Sequence, residues 1–188
     1  MRIPIHIGII PDGNRRWAVK KGMTKEKGYD RGLNPGLELF KLCEKYGVKE
    51  LTFYGFTADN TKRARIQRLA FTRACIDAVK MLSKENADLL VIGNHKSPMF
   101  PRELLAYIER KRFGKGGMKV NFLVNYDWKW DVENTIDPIK SNDISRVDLI
   151  IRWGGRRRLS GFLPIQSLHK GRASSIGVAI GFIIGMIL

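Results

Sequence analysis

Chemistry in this chain centres on Asp12, inside the stretch IHIGIIPDGNRRW at residues 5–17. An apolar, β-branched run (Ile5, Ile7, Ile9, Ile10) breaks at Pro11-Asp12-Gly13, and a basic helix-like segment opens at Asn14. A buried strand turning sharply into a helix leaves the N–H groups of the first helical turn unpaired. With the positive end of the helix dipole they make an anion site. Arg15 and Arg16 add fixed positive charge there, and Asp12 supplies a carboxylate able to hold a divalent cation against a phosphate. That combination suggests diphosphate chemistry. The bland reading is that Asp12 caps a helix, Gly13 makes a turn and the arginines are solvated, and the motif alone does not decide between the two.

Two further polar clusters shift the balance. One is TADNTKR at 57–63 and the other RWGGRRRLS at 152–160. Each follows an apolar run that reads as a strand, 48–56 (VKELTFYGF) and 147–153 (VDLIIRW). Strands are also predicted at 88–93 and 118–126. Helices are predicted around Leu37, Phe40, Leu42 and Cys43, over 66–86, over 101–112 and over 127–140. Pro35 and Gly36 are poor helix-interior residues, so the first of these helices starts there or is kinked. Residues 20–28, polar and lysine-rich, read as loop. Strands alternate with helices throughout, which predicts an α/β fold: one open, mostly parallel sheet flanked by helices. Ligands in such sheets bind beyond the carboxyl ends of the strands, and all three clusters fall there.

The chain has 188 residues, enough for one domain with a sizeable core, and 44% are hydrophobic, which argues against disorder. A formal charge of +16 points to anionic partners without choosing between nucleic acid, a membrane surface and phosphorylated small molecules. Cys43 and Cys75 read as buried thiols of a reducing compartment, and the scattered His6, His95 and His169 argue against a histidine metal site. Arg2 followed by a short strand and a charged helix does not resemble a signal peptide, so a cytoplasmic location is expected.

The stretches HIGIIPDGNRRWA (6–18), LTFYGFTADNTKR (51–63) and DLIIRWGGRRRLSGFLPIQ (148–166) resemble the cis-prenyltransferases, whose best-known members are undecaprenyl diphosphate synthases. VNFLVNYDWKWDV at 120–132 is similar to that family's NYG-type strand and the helix after it. The resemblance runs from about Ile5 to Gln166. It implies a parallel sheet with flanking helices, a hydrophobic tunnel and a homodimer. The implied activity joins an allylic prenyl diphosphate to isopentenyl diphosphate with Mg²⁺, releasing diphosphate. Residue by residue, it makes Asp12 the essential carboxylate and metal ligand. Gly13, Asn14, Arg15 and Arg16 would cradle the allylic diphosphate, with Trp17 packed behind. Thr57, with Ala58 and Asp59 beside it, and Asn60 would stand where hydroxyl and amide groups aid proton removal. Arg63 would order that loop. Arg152, Arg158 and Ser160, with Leu159 between them, would hold the isopentenyl diphosphate.

The chain also departs from the family. Lys25 replaces an arginine, which keeps charge but loses the bidentate fork, and Tyr29 replaces a histidine in Gly28-x-x-x-Gly32. Thr61 stands where tryptophan is common, and Arg156 and Arg157 replace an acidic residue and a histidine. Asp148 is the last acidic residue, so no downstream carboxylate completes the metal site. Residues 1–168 read as the catalytic domain. Residues 169–188 read as an atypical tail ending in IGVAIGFIIGMIL, with Gly177, Gly181 and Gly185 four apart. That run is shorter than the roughly 20 residues of a membrane-spanning helix. It reads as a membrane-touching tail, a substitute packing element or, most simply, a truncated or frameshifted end. The alternatives are prenyl transfer to a different acceptor, a non-catalytic subunit, and a basic nucleic-acid-binding domain. The last would need exposed aromatics along a basic groove, whereas here the arginines gather at strand ends, so no nucleic acid is expected.

Overall fold

The structure, a computed structural model, describes residues 3–133, 139–169, 172–173 and 176–177. Its elements run β1 (His6–Ile10), α1 (Asn14–Lys20), α2 (Lys27–Arg31), α3 (Leu33–Lys45), β2 (Glu50–Tyr54), α4 (Arg65–Leu82) and β3 (Ala87–Ile92). Then follow β4 (Lys111–Phe113), β5 (Met118–Leu123), α5 (Trp128–Val132), β6 (Leu149–Arg152) and the two-residue strands β7 (Leu168–His169), β8 (Arg172–Ala173) and β9 (Ile176–Gly177).

One sheet orders its strands β4-β3-β5-β2-β1-β6-β9, and every pairing in it is parallel except β3 with β4. The predicted open α/β sheet is therefore what the chain builds. All five residues of β1 and of β2 are buried, as expected of parallel strands covered on both faces. Side chains alternate between two cores. Ile7, Ile9, Leu51 and Phe53 pack with Phe40 of α3 and Val79 of α4. Ile10, Tyr54 and Leu123 face the other way, onto Phe162 and Leu163.

Pro35 sits at the third position of α3. The first-turn N–H groups of a helix have no intrahelical acceptor, so a proline costs no hydrogen bond there.

Three local expectations are corrected. The segment 101–112 is not one α-helix: Arg102–Tyr107 is a 3-10 helix, and Lys111–Phe113 turns back as β4 beside β3. Arg110 causes the change, donating to the Asp88 carbonyl at 2.9 Å and to Asn121 Oδ1 at 2.8 Å, which pins the chain to the sheet edge. Of the expected loop 20–28, residue 20 belongs to α1, and residues 27 and 28 are helical for a reason given below. The helix expected over 127–140 is short, Trp128–Val132, capped by Asp127, whose side chain accepts from the Lys129 N–H at 2.9 Å. Residues 134–138 lie outside the described residues. So does most of the apolar tail expectation, at 178–188.

Candidate active site

Asp12 and Arg152 end adjacent strands, because the β1–β6 register sets Ile10 beside Arg152. Arg152 is 5% exposed. Its Nη2 donates to Asp12 Oδ2 at 2.6 Å, and its Nη1 donates to Ser160 Oγ at 2.9 Å and to the Arg158 carbonyl. Its Nε is buried without an acceptor among the described residues. Arg16 stands 3.6 Å from Asp12 Oδ1 and donates to the Gly154 carbonyl at 3.0 Å. Partial burial raises the Asp12 carboxyl pKa. The hydrogen bond and charge of Arg152, the charge of Arg16 and the Gly13 N–H outweigh it, and the net shift is downward. Asp12 is thus held ionised, and the loops after β1 and β6 are clasped together through one carboxylate.

The second cluster meets the first through α2. A Cβ on Gly28 would stand 2.3 Å from the Asn14 carbonyl oxygen, and one on Gly32 2.9 Å from Asn14 Nδ2. The Gly-x-x-x-Gly spacing therefore lets α2 lie directly on α1, which overrides the poor helix propensity of glycine. It also sets Tyr29 of α2 against α4. The Tyr29 ring stacks on Phe71 of α4, centroids 4.7 Å apart. Its hydroxyl accepts from Arg63 Nη1 at 2.9 Å, and the Arg63 guanidinium lies 5.3 Å from the Phe71 ring centre. Burial lowers the Arg63 pKa, and Arg15 lowers it further against the pull of Tyr29 and Asp12. Arg15 reaches across to Gln67 of α4 at 3.1 Å. Asn60, buried, donates to Thr57 Oγ1 at 2.8 Å.

These side chains line one cleft of about 790 Å³ at the carboxyl ends of β1, β2 and β6. Of the sequence-predicted residues, the cleft gathers Asp12, Gly13, Asn14, Arg15, Arg16, Lys25, Tyr29, Thr57, Asp59, Asn60, Arg63, Arg152, Arg158 and Ser160. Three lie elsewhere. Trp17 lines a separate cavity of about 710 Å³, shared with Trp153 and Gly154 and bounded by the same 12–14 loop. Ala58 donates its backbone N–H to the Tyr126 carbonyl, and Leu159 packs on the second core. The sequence reading missed Val19, Lys20, Tyr54, Phe71 and Arg156, which also line the cleft. Val19 and Lys20 repeat Arg15 and Arg16 one helical turn on, a spacing that could have flagged them.

Pro11, Asn14, Tyr29, Gly55 and Phe71 also line a narrow apolar cavity of about 80 Å³. It continues between α3 and α4, walled by Leu37, Phe53, Ala74, Ala78, Met81 and Phe122. A cationic cleft thus adjoins a small apolar cavity.

Among the described residues, no three His, Cys, Asp or Glu side chains converge on a metal site. The cleft offers Asp12, and also Asp59, which is bound to Lys62 at 2.9 Å. Magnesium is commonly held by one or two carboxylates with substrate phosphates and water completing the shell, so an ionised Asp12 beside a bound diphosphate fits that ion.

The sequence model of a family described as "Putative undecaprenyl diphosphate synthase" matches residues 10–145. The chain is 32% identical to a ditrans,polycis-undecaprenyl-diphosphate synthase of Buchnera aphidicola over 88% of this chain and 78% of that one. The chain belongs to this family. It is accordingly a prenyltransferase of the cis type. An isoprenyl transferase of Chromobacterium violaceum is 31% identical over 89% of this chain and 75% of its own length. The fold matches that of lavandulyl diphosphate synthase from Lavandula x intermedia, solved with dimethylallyl diphosphate. The TM-score is 0.68 at 24% identity, covering 85% of this chain and 81% of that one.

Proposed function

We propose that the protein condenses an allylic prenyl diphosphate with isopentenyl diphosphate in a Mg²⁺-dependent reaction, giving a longer prenyl diphosphate and free diphosphate. The observation that carries this reading is the adjacency of the cationic cleft around Asp12 and Arg152 to the apolar cavity behind Tyr29 and Phe71, which share lining residues.

In the reaction the allylic C–O bond breaks and its electron pair leaves with the diphosphate. The alkene of isopentenyl diphosphate forms the new C–C bond, and a proton is lost from the acceptor. Arg15, Arg16 and Lys25 stabilise the charge that grows on the leaving diphosphate. Arg158, Ser160 and Arg152 hold the acceptor's diphosphate and so orient its alkene. The Thr57 hydroxyl and Asn60 amide, already hydrogen-bonded to each other, pass the proton toward the departing diphosphate. The apolar cavity receives the hydrocarbon next to the cleft and keeps water from the allylic cation. Magnesium bound at Asp12 would supply further positive charge to the leaving group.

Among the described residues, the cores are built from residues up to Leu163, which supports reading 1–168 as the catalytic domain. The same reading has the domain work as a homodimer in the cytoplasm. Also among the described residues, no helix is long and apolar enough to cross a membrane.

The test is incubation with short allylic diphosphates, labelled isopentenyl diphosphate and Mg²⁺, followed by chain-length analysis. Labelled prenyl product is expected, and Asp12→Ala should abolish it while circular dichroism stays native. A folded wild-type protein that makes no product, or an active Asp12→Ala variant, would overturn the reading.

A further inference from the structure

Among the described residues, Ser160 is one of three other than glycine with positive φ, at 53°, and Gly161 follows it at 78°. A left-handed backbone is disfavoured for serine and persists only where neighbours hold it. Two neighbours hold this one. Arg152 Nη1 donates to Ser160 Oγ at 2.9 Å, and the Tyr54 hydroxyl donates to the Ser160 carbonyl at 2.9 Å. Because Ser160 Oγ accepts from Arg152, its own proton has no acceptor among the described residues and is free for a phosphate oxygen.

Tyr54 ends β2, and β1 lies between β2 and β6, so the side chain reaches past a strand to the turn after β6. It is 6% exposed, with its ring centre 5.4 Å from that of Phe162 and 6.1 Å from that of Tyr126. The turn is pressed onto it: a Cβ on Gly161 would stand 2.9 Å from Trp128 Cδ1 and 3.5 Å from the Tyr54 hydroxyl oxygen. Burial raises the Tyr54 pKa well above its ordinary value, and Asp127 and Asp59 add to this against the pull of Arg152. The phenol is therefore a fixed donor committed to one carbonyl. Tyr54 also lines the cleft that holds Asp12, Arg152 and Arg158.

We propose that Tyr54 is a positioning residue of the acceptor site: its hydroxyl holds the Ser160 turn so that the Ser160 hydroxyl meets the diphosphate of isopentenyl diphosphate. This rests on the functional reading above, in which Arg152, Arg158 and Ser160 take that group. Tyr54 touches no reacting atom and acts only through Ser160. A buried phenol that merely satisfied itself would need no strained partner, whereas here the acceptor of its bond is the left-handed residue itself.

The test joins steady-state kinetics to calorimetric titration of isopentenyl diphosphate into the full chain, with Mg²⁺ and no allylic substrate. Tyr54→Phe removes the hydroxyl and keeps the ring. It is expected to raise the Kd and KM for isopentenyl diphosphate about fivefold. The kcat and the KM for the allylic diphosphate should stay within about twofold of wild type. In a Ser160→Ala background the same change should add less than about twofold, because the group it positions is already gone. Tyr126→Phe removes a second buried phenol hydroxyl of the same core, bound to Asp131 at 2.7 Å. It should lower the melting temperature without moving either KM. Unchanged acceptor binding by Tyr54→Phe, equal rises in the two KM values, full additivity with Ser160→Ala, or the same effect from Tyr126→Phe would each overturn the proposal. A wild type that binds isopentenyl diphosphate with this dependence on Tyr54 but forms no product would sustain it and overturn the functional reading. A wild type that does not bind isopentenyl diphosphate would overturn both.

Discussion

Gly13 and Gly154 face each other where the loops after β1 and β6 meet, so that a Cβ on either would stand 3.0 Å from the other's Cα. Both have positive φ, 101° and 79°. The loop after β1 and the loop after β6 can approach this closely only because neither residue there carries a side chain, and the approach lets Arg152 reach Asp12. Gly154→Ala would set a methyl 2.7 Å from Arg16 Nη2 and 2.8 Å from the Asp12 carbonyl oxygen, on a backbone that L residues avoid. It is expected to destabilise the protein by roughly 1–3 kcal/mol and to depress turnover more than the melting temperature implies. Gly155→Ala provides the comparison: it has positive φ of 73° but no neighbour within 4 Å of the added Cβ. Equal losses in the two variants would show that the contact with the 12–14 loop has no part.

The Asp12–Arg152 pair gives stability a pH dependence with a definite sign. The Asp12 pKa is lowered in the folded protein, so the pair's contribution is present in full above the ordinary carboxylate value of about 4 and is lost as pH falls below it. Asp12→Asn should lack this acid slope. Near neutrality it should cost roughly 2 kcal/mol, because Arg152 stays buried without its counter-charge. The figure is set below that of a fully buried pair because the Asp12 side chain is 26% exposed. Urea titrations of both proteins from neutrality down to about pH 3 check it. Parallel acid slopes would show that the pair does not stabilise the fold.

Tyr29 occupies a position where the family's resemblance led one to expect histidine, and its environment explains how a phenol serves there. The ring packs flat on Phe71 and the hydroxyl accepts from Arg63, so Tyr29 orients a cation without carrying charge itself. Tyr29→Phe keeps the stack and removes the acceptor. It should cost about 1 kcal/mol of stability and raise KM for the allylic substrate several-fold with a smaller change in kcat. Tyr29→His, protonated at mild acidity, should repel Arg63 and make KM rise as pH falls. A Tyr29→Phe enzyme with unchanged KM would remove Arg63 orientation from the account.

The parts legible in the sequence were those whose signal is local. The Ile-rich run of β1, the LTFY and LIIR cores of β2 and β6 and the Pro11–Arg16 turn announce themselves through apolar runs broken by turn chemistry. What depended on distant contacts was not legible. Gly28 reads as a helix breaker until α2 is seen lying on α1, and Arg110 reads as one more helical residue until it binds Asp88 and Asn121. Site membership depends on packing in the same way. Trp17, Ala58 and Leu159 neighbour cleft residues in the chain, but the side on which each lies is set by how α1 and the loops after β2 and β6 pack. Arg156, read only as a departure from the family's pattern, lies in the cleft beyond the Gly154–Gly155 turn.

At the opposite ends of the strands, His6 makes a second pH-sensitive element. It is fully buried, its Nδ1–H donates to the Ser145 carbonyl at 3.0 Å, and its Nε2 accepts from the Thr52 hydroxyl at 2.8 Å. Burial lowers its pKa, and Glu50, the Ser145 and Arg146 carbonyls and Asp148 offset only part of that. Asn121 joins Thr52 to Glu50 and receives Arg110 from the rim, so the network has no spare acceptor for a second imidazole proton. An unfolded histidine takes up a proton near pH 6.5, and the folded one does so only at lower pH. Folding stability should therefore fall as pH drops below about 6.5, well above the range in which Asp12 responds. His6→Gln should flatten that part of the curve, at a cost of about 1–2 kcal/mol at neutral pH from imperfect hydrogen bonding. Melting temperatures from about pH 7.5 to about pH 5.5 decide the matter. A wild-type curve that parallels the variant's across that interval would mean that His6 takes up its proton at the same pH in the folded and unfolded chains.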